Sequence, residues 1–347
     1  MSFLNNFSFR YAESASNSII IQYYLYISKC CLQFAKLLVP GCSLDLLLEV
    51  LAYNFLILVW FIKYIAFSSV MRNIKRLQKY IQNNWSILAD DREINIMYKY
   101  TNIGKQSTIV IATCVYFGII GFTMVQYIPD LLDFVMPLNE SRPRILLHQA
   151  KNFIDHQKYF HILIIHDVIG ILLVGTTGIA AESFSLVNAI HAFGMFKIAS
   201  YRMERMLSID VSQISIAKSY IIFHDRLSAA VDIHRRALKF SDLLKVSLGP
   251  SYLLMMVTAI CSAIVSFFRL FRIVTLHQEK MEIIKLICYV IFLFLFIVIG
   301  NFVGQEFINH DEHVHHTMYV MYLIYPFTTR NIASKICTYL YRFYIKI

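Results

Sequence analysis

Charge is scarce in this sequence. Asp, Glu, Lys and Arg make up 16% of its 347 residues, against 58% hydrophobic residues. Ordinary soluble domains carry roughly 25% charged and 45–50% apolar residues, so a freely soluble globular protein is a poor fit. Enzyme signatures are also lacking. There is no glycine-rich phosphate loop and no G-x-S-x-G elbow. The seven cysteines (Cys30, Cys31, Cys42, Cys114, Cys261, Cys288 and Cys337) have neither metal-ligand nor disulfide-framework spacing. Most lie in apolar segments, where a thiol behaves as a small hydrophobe. The first residues hold no basic region followed by an apolar core, so no cleavable signal peptide is expected. Neither catalysis nor a cofactor is expected.

The apolar excess comes in runs, which predicts an all-α polytopic membrane protein. Six runs approach the roughly 20 apolar residues that a bilayer crossing needs: residues 18–39, 44–67, 109–128, 160–181, 250–270 and 283–303. The first is interrupted by Lys29 and Lys36 and closed by Pro40-Gly41. Pro129 closes the third, and Gly249-Pro250 opens the fifth. Four segments follow: 1–181 with spans one to four, a charged insert at 182–248, spans five and six at 249–304, and a tail at 305–347.

Net charge is +10, and the stretches after spans two and four carry seven and nine Lys/Arg, more than those after spans three and five. The positive-inside bias therefore places them in the cytoplasm, and the N-terminus with them. It also explains the basic balance without nucleic acid, and the bilayer becomes the first partner. The insert interleaves its bases with six acids. Leu227, Val231, His234, Leu238 and Leu244 form an apolar stripe at helical spacing, flanked by Asp232 and Arg236 at i,i+4. The expected result is a bundle with long intracellular helical extensions. Leu227, Val231, Leu238 and Leu244 are the candidate assembly residues, because a stripe needs a partner.

Asn139-Glu140-Ser141 is a glycosylation acceptor in the loop placed outside, whereas Asn6-Phe7-Ser8 and Asn84-Trp85-Ser86 fall inside. The run His310-Asp311-Glu312-His313-Val314-His315-His316 could offer zinc ligands on a helix, but no further ligand is fixed elsewhere, and a hydrated segment past the sixth span accounts for it. His161, His166 and Asp167 lie in the fourth span, where ionisable groups face a bundle interior or a water-filled cavity. Gly300 with Gly304, Gly118 with Gly121, and Gly175 with Gly178 mark places where helices can approach closely.

Several segments resemble one family, the insect odorant receptors, in particular the expansions found in ants, bees and wasps. Leu44-Asp45-Leu46-Leu47-Leu48-Glu49 leads into a span ending Phe61-Ile62-Lys63-Tyr64. Trp85-Ser86-Ile87-Leu88 and Tyr100-Thr101-Asn102-Ile103-Gly104 follow. The insert contributes His191-Ala192-Phe193-Gly194-Met195-Phe196 and Tyr201-Arg202-Met203-Glu204-Arg205, and the sixth span ends Gly304-Gln305-Glu306-Phe307. The resemblance implies a seven-span odorant-gated cation channel in the plasma membrane of olfactory neurons, with a cytoplasmic N-terminus. It also implies a tetramer formed with a shared odorant co-receptor, joined through intracellular helices. A volatile ligand would bind in the outer half of the bundle, on Tyr53, Phe117, Gly121, Met124, His161, Ile165 and Tyr289.

The chain departs from that pattern at its ends. The leader before the first span is short. After Tyr319 the residues carry Arg330, Lys335, Arg342 and Lys346, with no uncharged run of span length. Six spans without a pore helix are expected, with 305–347 an intracellular, truncated or aberrant tail. Two other readings stand beside the channel subunit: a non-conducting receptor fragment that acts as an assembly partner, and a six-span transporter. The transporter would want an inverted repeat, and none is visible.

Overall fold

A computed structural model of the protein describes residues 27–28, 30–31, 33–34, 36–38, 43–69, 71–136, 159–207, 216–275 and 280–324. Among these residues there is no strand. After a 3-10 turn at Lys36–Leu38, the described residues form seven helices: α1 Leu44–Ser69, α2 Met71–Ser86, α3 Asp91–Gln126, α4 Ile128–Val135, α5 Phe160–Leu207, α6 Ile216–Thr275 and α7 Lys280–Ile324. Five stretches within α1, α3, α5, α6 and α7 are long and apolar enough to cross a membrane. These are the second to sixth expected spans. Most of the first, and the Asn139 acceptor, lie outside the described residues.

The helices overrun the expected boundaries. The fourth span does not stop at Ala181, because α5 continues for 48 residues, about twice a bilayer crossing. Gly249-Pro250 does not open a new helix. It lies inside the 60-residue α6. Proline removes one intrahelical donor, and in membrane helices side chains and local adjustments re-satisfy the freed backbone. Ser251 Oγ, beside the proline, donates to the Leu248 carbonyl at 2.7 Å, although the carbonyl that loses its helical donor is that of Val246. Pro129 behaves as expected: α3 ends before it, and it falls in the first turn of α4, where its missing N–H has no helical partner to lose.

Contacts group the chain into two compact units. The first is drawn from Met1–Ile74, Lys105–Ser185 and Val246–Gly300, the second from Lys75–Gly104, Leu186–Lys245 and Asn301–Ile347. In the first unit, α1 and α6 run antiparallel, and their pairing is tiered. Arg272 grips Asp45 through Nε and Nη2 at 2.8 and 3.2 Å, and Arg269 Nη2 donates to Glu49 at 2.9 Å. Next comes a hydroxyl tier at Ala52 and Ser262, then an apolar tier of Val59, Met255 and Ala259. At the other end Lys63 meets Tyr252, and Asn73 Nδ2 donates to Ser247 Oγ at 2.9 Å. Charges are thus kept to the ends of the pair and paired there, as low-dielectric surroundings demand.

In the second unit, the core is built on α5 and α6. Ala192, Met195, Phe196, Ile198, Ala199 and Met203 of α5 and Ala230, Ile233, Ala237 and Phe240 of α6 are all buried. Phe196 meets the His234 ring at 5.7 Å and His191 meets Phe240 at 5.3 Å. Asp90 caps α3 by accepting the Arg92 N–H at 2.9 Å. That backbone bond, with the Arg92 and Arg205 charges adding to it, holds the Asp90 carboxyl below its ordinary range.

Arg202 ties three helices of this unit together. Its Nε and Nη2 take both oxygens of buried Glu93 at 2.7 and 2.8 Å, while Nη1 donates to the Ala229 carbonyl at 2.9 Å. A lysine has no fork with which to hold a carboxylate bidentately and a carbonyl at once. Arg202→Lys is therefore expected to lower stability by about 2–3 kcal/mol, seen as a fall in the thermal midpoint of the detergent-solubilised chain. An unchanged midpoint would show that the fork is dispensable.

Candidate ligand site

The hydroxyl tier of the first unit is the candidate site. Ser262 is fully buried on α6, and its Oγ lies 2.6 Å from Tyr289 Oη on α7. Both oxygens also face the Ala52 carbonyl of α1, at 3.3 Å from Ser262 Oγ and 3.2 Å from Tyr289 Oη. Ser266, one turn further along α6 and fully buried, returns its own hydroxyl to the Ser262 carbonyl at 2.7 Å.

The hydrogen count sets what this group can do. Two hydroxyl hydrogens serve three oxygens. Either Ser262 donates to Tyr289 and Tyr289 to Ala52, or Tyr289 donates to Ser262 and Ser262 to Ala52. In both arrangements every hydrogen is used, and spare lone pairs remain on the hydroxyl oxygens. The group is therefore neutral and accepting, with no nucleophile and base in partnership. It can take a hydrogen bond from an alcohol or phenol without breaking one of its own. It can serve a carbonyl only by breaking one of these two hydrogen bonds.

Of the seven residues expected at the ligand site, Tyr289 is at this centre, and Tyr53 follows the Ala52 carbonyl directly in α1. Phe117 and Met124 are exposed on α3, with open space around Gly121 between them. His161 and Ile165 are exposed one turn apart on α5. The His161 ring stacks on Tyr127 at 6.2 Å, beside a small core of Phe160 and Ile164. These five form outward-facing apolar surfaces rather than a shell around the hydroxyl pair. Ser262 was missed by the expected set. Its signal is faint but present: two serines four residues apart inside an apolar run.

The four expected assembly residues all lie on α6. Leu227 and Leu244 are buried within this chain, and Val231 and Leu238 are half-buried. Within the stripe, the His234 ring meets Phe196 of α5. The histidine run on α7 is also engaged locally. His310 stacks on Phe193 at 4.8 Å, and His313 Nδ1 lies 3.1 Å from Ser200 Oγ. Among the described residues, no three His, Cys, Asp or Glu side chains converge to hold a metal ion. Asn84 is buried, with its amide nitrogen 3.0 Å from Met195 Sδ, which leaves no room for a glycan.

A family model described as "7tm Odorant receptor" matches residues 43–322. Two solved structures share the fold, both of the insect olfactory receptor OR5 from Machilis hrabei. One is in complex with eugenol, at TM-score 0.55 and 11% identity, covering 91% of this chain and 79% of that one. The other, described without a ligand, gives TM-score 0.57 and 11% identity over 92% and 78%. No curated protein sequence matches significantly.

Proposed function

Because the chain belongs to the odorant receptor family, and its apolar helices make it a membrane protein, we propose that it is the ligand-binding subunit of an odorant-gated cation channel that opens together with a co-receptor in chemosensory neurons. The N-terminus and the second compact unit are assigned to the cytoplasm, on the Lys/Arg distribution.

The observation that carries the reading is the Ser262–Tyr289 pair at the Ala52 carbonyl. A neutral, mostly accepting polar point set between apolar helices suits a small volatile with one oxygen. Affinity would come from buried apolar area, at roughly 25 cal/mol per Å², and orientation from the hydroxyls. Eugenol, bound by one structural neighbour, is a small neutral phenol and falls in this chemical class.

The reading is tested by co-expressing the chain with a co-receptor and recording current while a panel of alcohols, phenols and matched hydrocarbons is applied. Oxygenated volatiles should evoke current that is absent without this chain. Tyr289→Phe and Ser262→Ala should each raise the half-effective concentration of the best agonist about tenfold, the value of one lost hydrogen bond of about 1.5 kcal/mol. Hydrocarbon responses should stay unchanged. A panel without any agonist, or an agonist indifferent to both substitutions, would overturn the assignment.

A further inference from the structure

Helix α2 reads MRNIKRLQKYIQNNWS, with four basic residues (Arg72, Lys75, Arg76 and Lys79) and no acidic one. Ile74, Leu77, Ile81 and Asn84 are buried and recur at three- and four-residue steps, so one face of the helix is committed to packing. Lys75, Arg76 and Lys79 lie off that face and are exposed. Among the described residues, no carboxylate pairs with any of the three. Five arginines elsewhere are treated differently: Arg202, Arg205, Arg236, Arg269 and Arg272 each hold a carboxylate. The exposed bases of α6, such as Arg235 and Lys239, share their helix with Asp225, Asp232 and Asp242. The concentration of unopposed positive charge on α2 needs a partner of the opposite sign.

Chain connectivity says where that partner is. α2 starts at Met71, directly after α1 ends at Ser69, and the apolar span within α1 runs to Ala66. The basic residues are therefore tethered to the end of a membrane crossing, where the nearest fixed anions are lipid phosphates. We propose that Lys75, Arg76 and Lys79 bind the headgroups of anionic lipids in the leaflet where the Leu44–Ala66 span ends. Polybasic segments beside a span bind anionic leaflets through additive contributions that fall off within a Debye length. The arginine fork adds a bidentate phosphate contact, and the two lysines add point charges. Three bases within little more than a helical turn favour a headgroup with more than one phosphate, such as a phosphoinositide, over a singly charged one. This inference does not rest on the odorant-channel reading, because lipid binding is measured without a ligand or a current.

The test uses the full chain in detergent micelles, titrated with short-chain phosphatidylinositol bisphosphate, phosphatidylserine or phosphatidylcholine and read as lipid adducts by native mass spectrometry. Binding should fall in that order. Each of Lys75→Gln, Arg76→Gln and Lys79→Gln should weaken bisphosphate binding by about fivefold, and the triple variant by tenfold or more. Lys75→Arg with Lys79→Arg should retain it, and Arg235→Gln with Lys239→Gln should leave it within about twofold. If the triple variant aggregates, the three single variants carry the same test. Equal binding of the choline lipid, single variants indistinguishable from the parent, or an equal loss in the α6 pair would each overturn the proposal.

Discussion

Lys63→Met is expected to cost about 3–5 kcal/mol of stability, the usual penalty for removing one partner of a buried ion pair. Lys63 is buried near the end of the α1 span and forms an ion pair with Glu182 of α5. Its Nζ also donates to Tyr252 Oη of α6 at 3.1 Å, and it sits 4.5 Å from the centre of the Tyr252 ring. Tyr252 Oη in turn donates to Glu182 Oε2 at 3.0 Å. Each polar atom in this ring of three has a use for the next, and the three helices are fixed by it. Removing the ammonium leaves a carboxylate in low dielectric with only a phenol to meet it. A loss of that size is a large share of the 5–15 kcal/mol that folded proteins typically hold. The single variant should elute mainly as aggregate after detergent extraction. Lys63→Met combined with Glu182→Met should recover most of the monodisperse peak, because replacing both charges by apolar groups is often neutral. A single variant as stable as the parent, or a double variant worse than both singles, would rule out the coupled pair.

That pair also marks the limit of what was legible beforehand. The five described apolar runs could be read as helices because hydrophobic content and length alone set the requirement for crossing a bilayer. The stripe from Leu227 to Leu244 could be read as a helix face because burial repeats at 3.6 residues. Its partner could not. A stripe states that something packs there without naming it, and Phe196 of α5 meets its His234. Long-range polar partners leave even less trace. Lys63 and Tyr252 are 189 residues apart, and Ala52 and Tyr289 are 237 apart. Nothing local in either segment names the other. The same holds for Asp45 and Glu49, whose partners Arg272 and Arg269 lie more than 200 residues away. Gly249-Pro250 misled for a physical reason. Proline's helix-breaking cost is assessed for an isolated helix in water, whereas here flanking turns held by Asn73–Ser247 and Tyr252–Glu182 keep α6 continuous.

The glycines separate only in three dimensions, and there the contrast gives the second large prediction. Gly118, Gly121 and Gly304 have open space where a Cβ would stand, and Gly300 would meet Met256 Sδ at an ordinary 3.6 Å. At Gly175 the nearest atom is Ile119 Cδ1 at 3.0 Å, the free end of a side chain that can turn aside. Gly178 is different. Its Cβ would fall 2.2 Å from Trp60 Cζ3 and 3.0 Å from Cε3 and Cη2 of the same ring. An indole is rigid and cannot yield by bending, so α5 or Trp60 must move. Gly178→Ala should therefore destabilise by about 1–3 kcal/mol through overpacking, and Gly178→Leu should prevent recovery of folded protein. Gly118→Ala should be neutral or stabilising by up to about 1 kcal/mol, because alanine favours helix and meets no obstacle. Thermal midpoints should rank Gly118→Ala at or above the parent, Gly175→Ala slightly below it, and Gly178→Ala lowest. Trp60→Leu in the Gly178→Ala background should raise the midpoint by removing the ring that the methyl strikes. If Gly178→Ala proved as stable as Gly118→Ala, the close approach of α5 to Trp60 would be wrong, and with it the packing that holds Lys63 within reach of Glu182 one turn further along the same helix face.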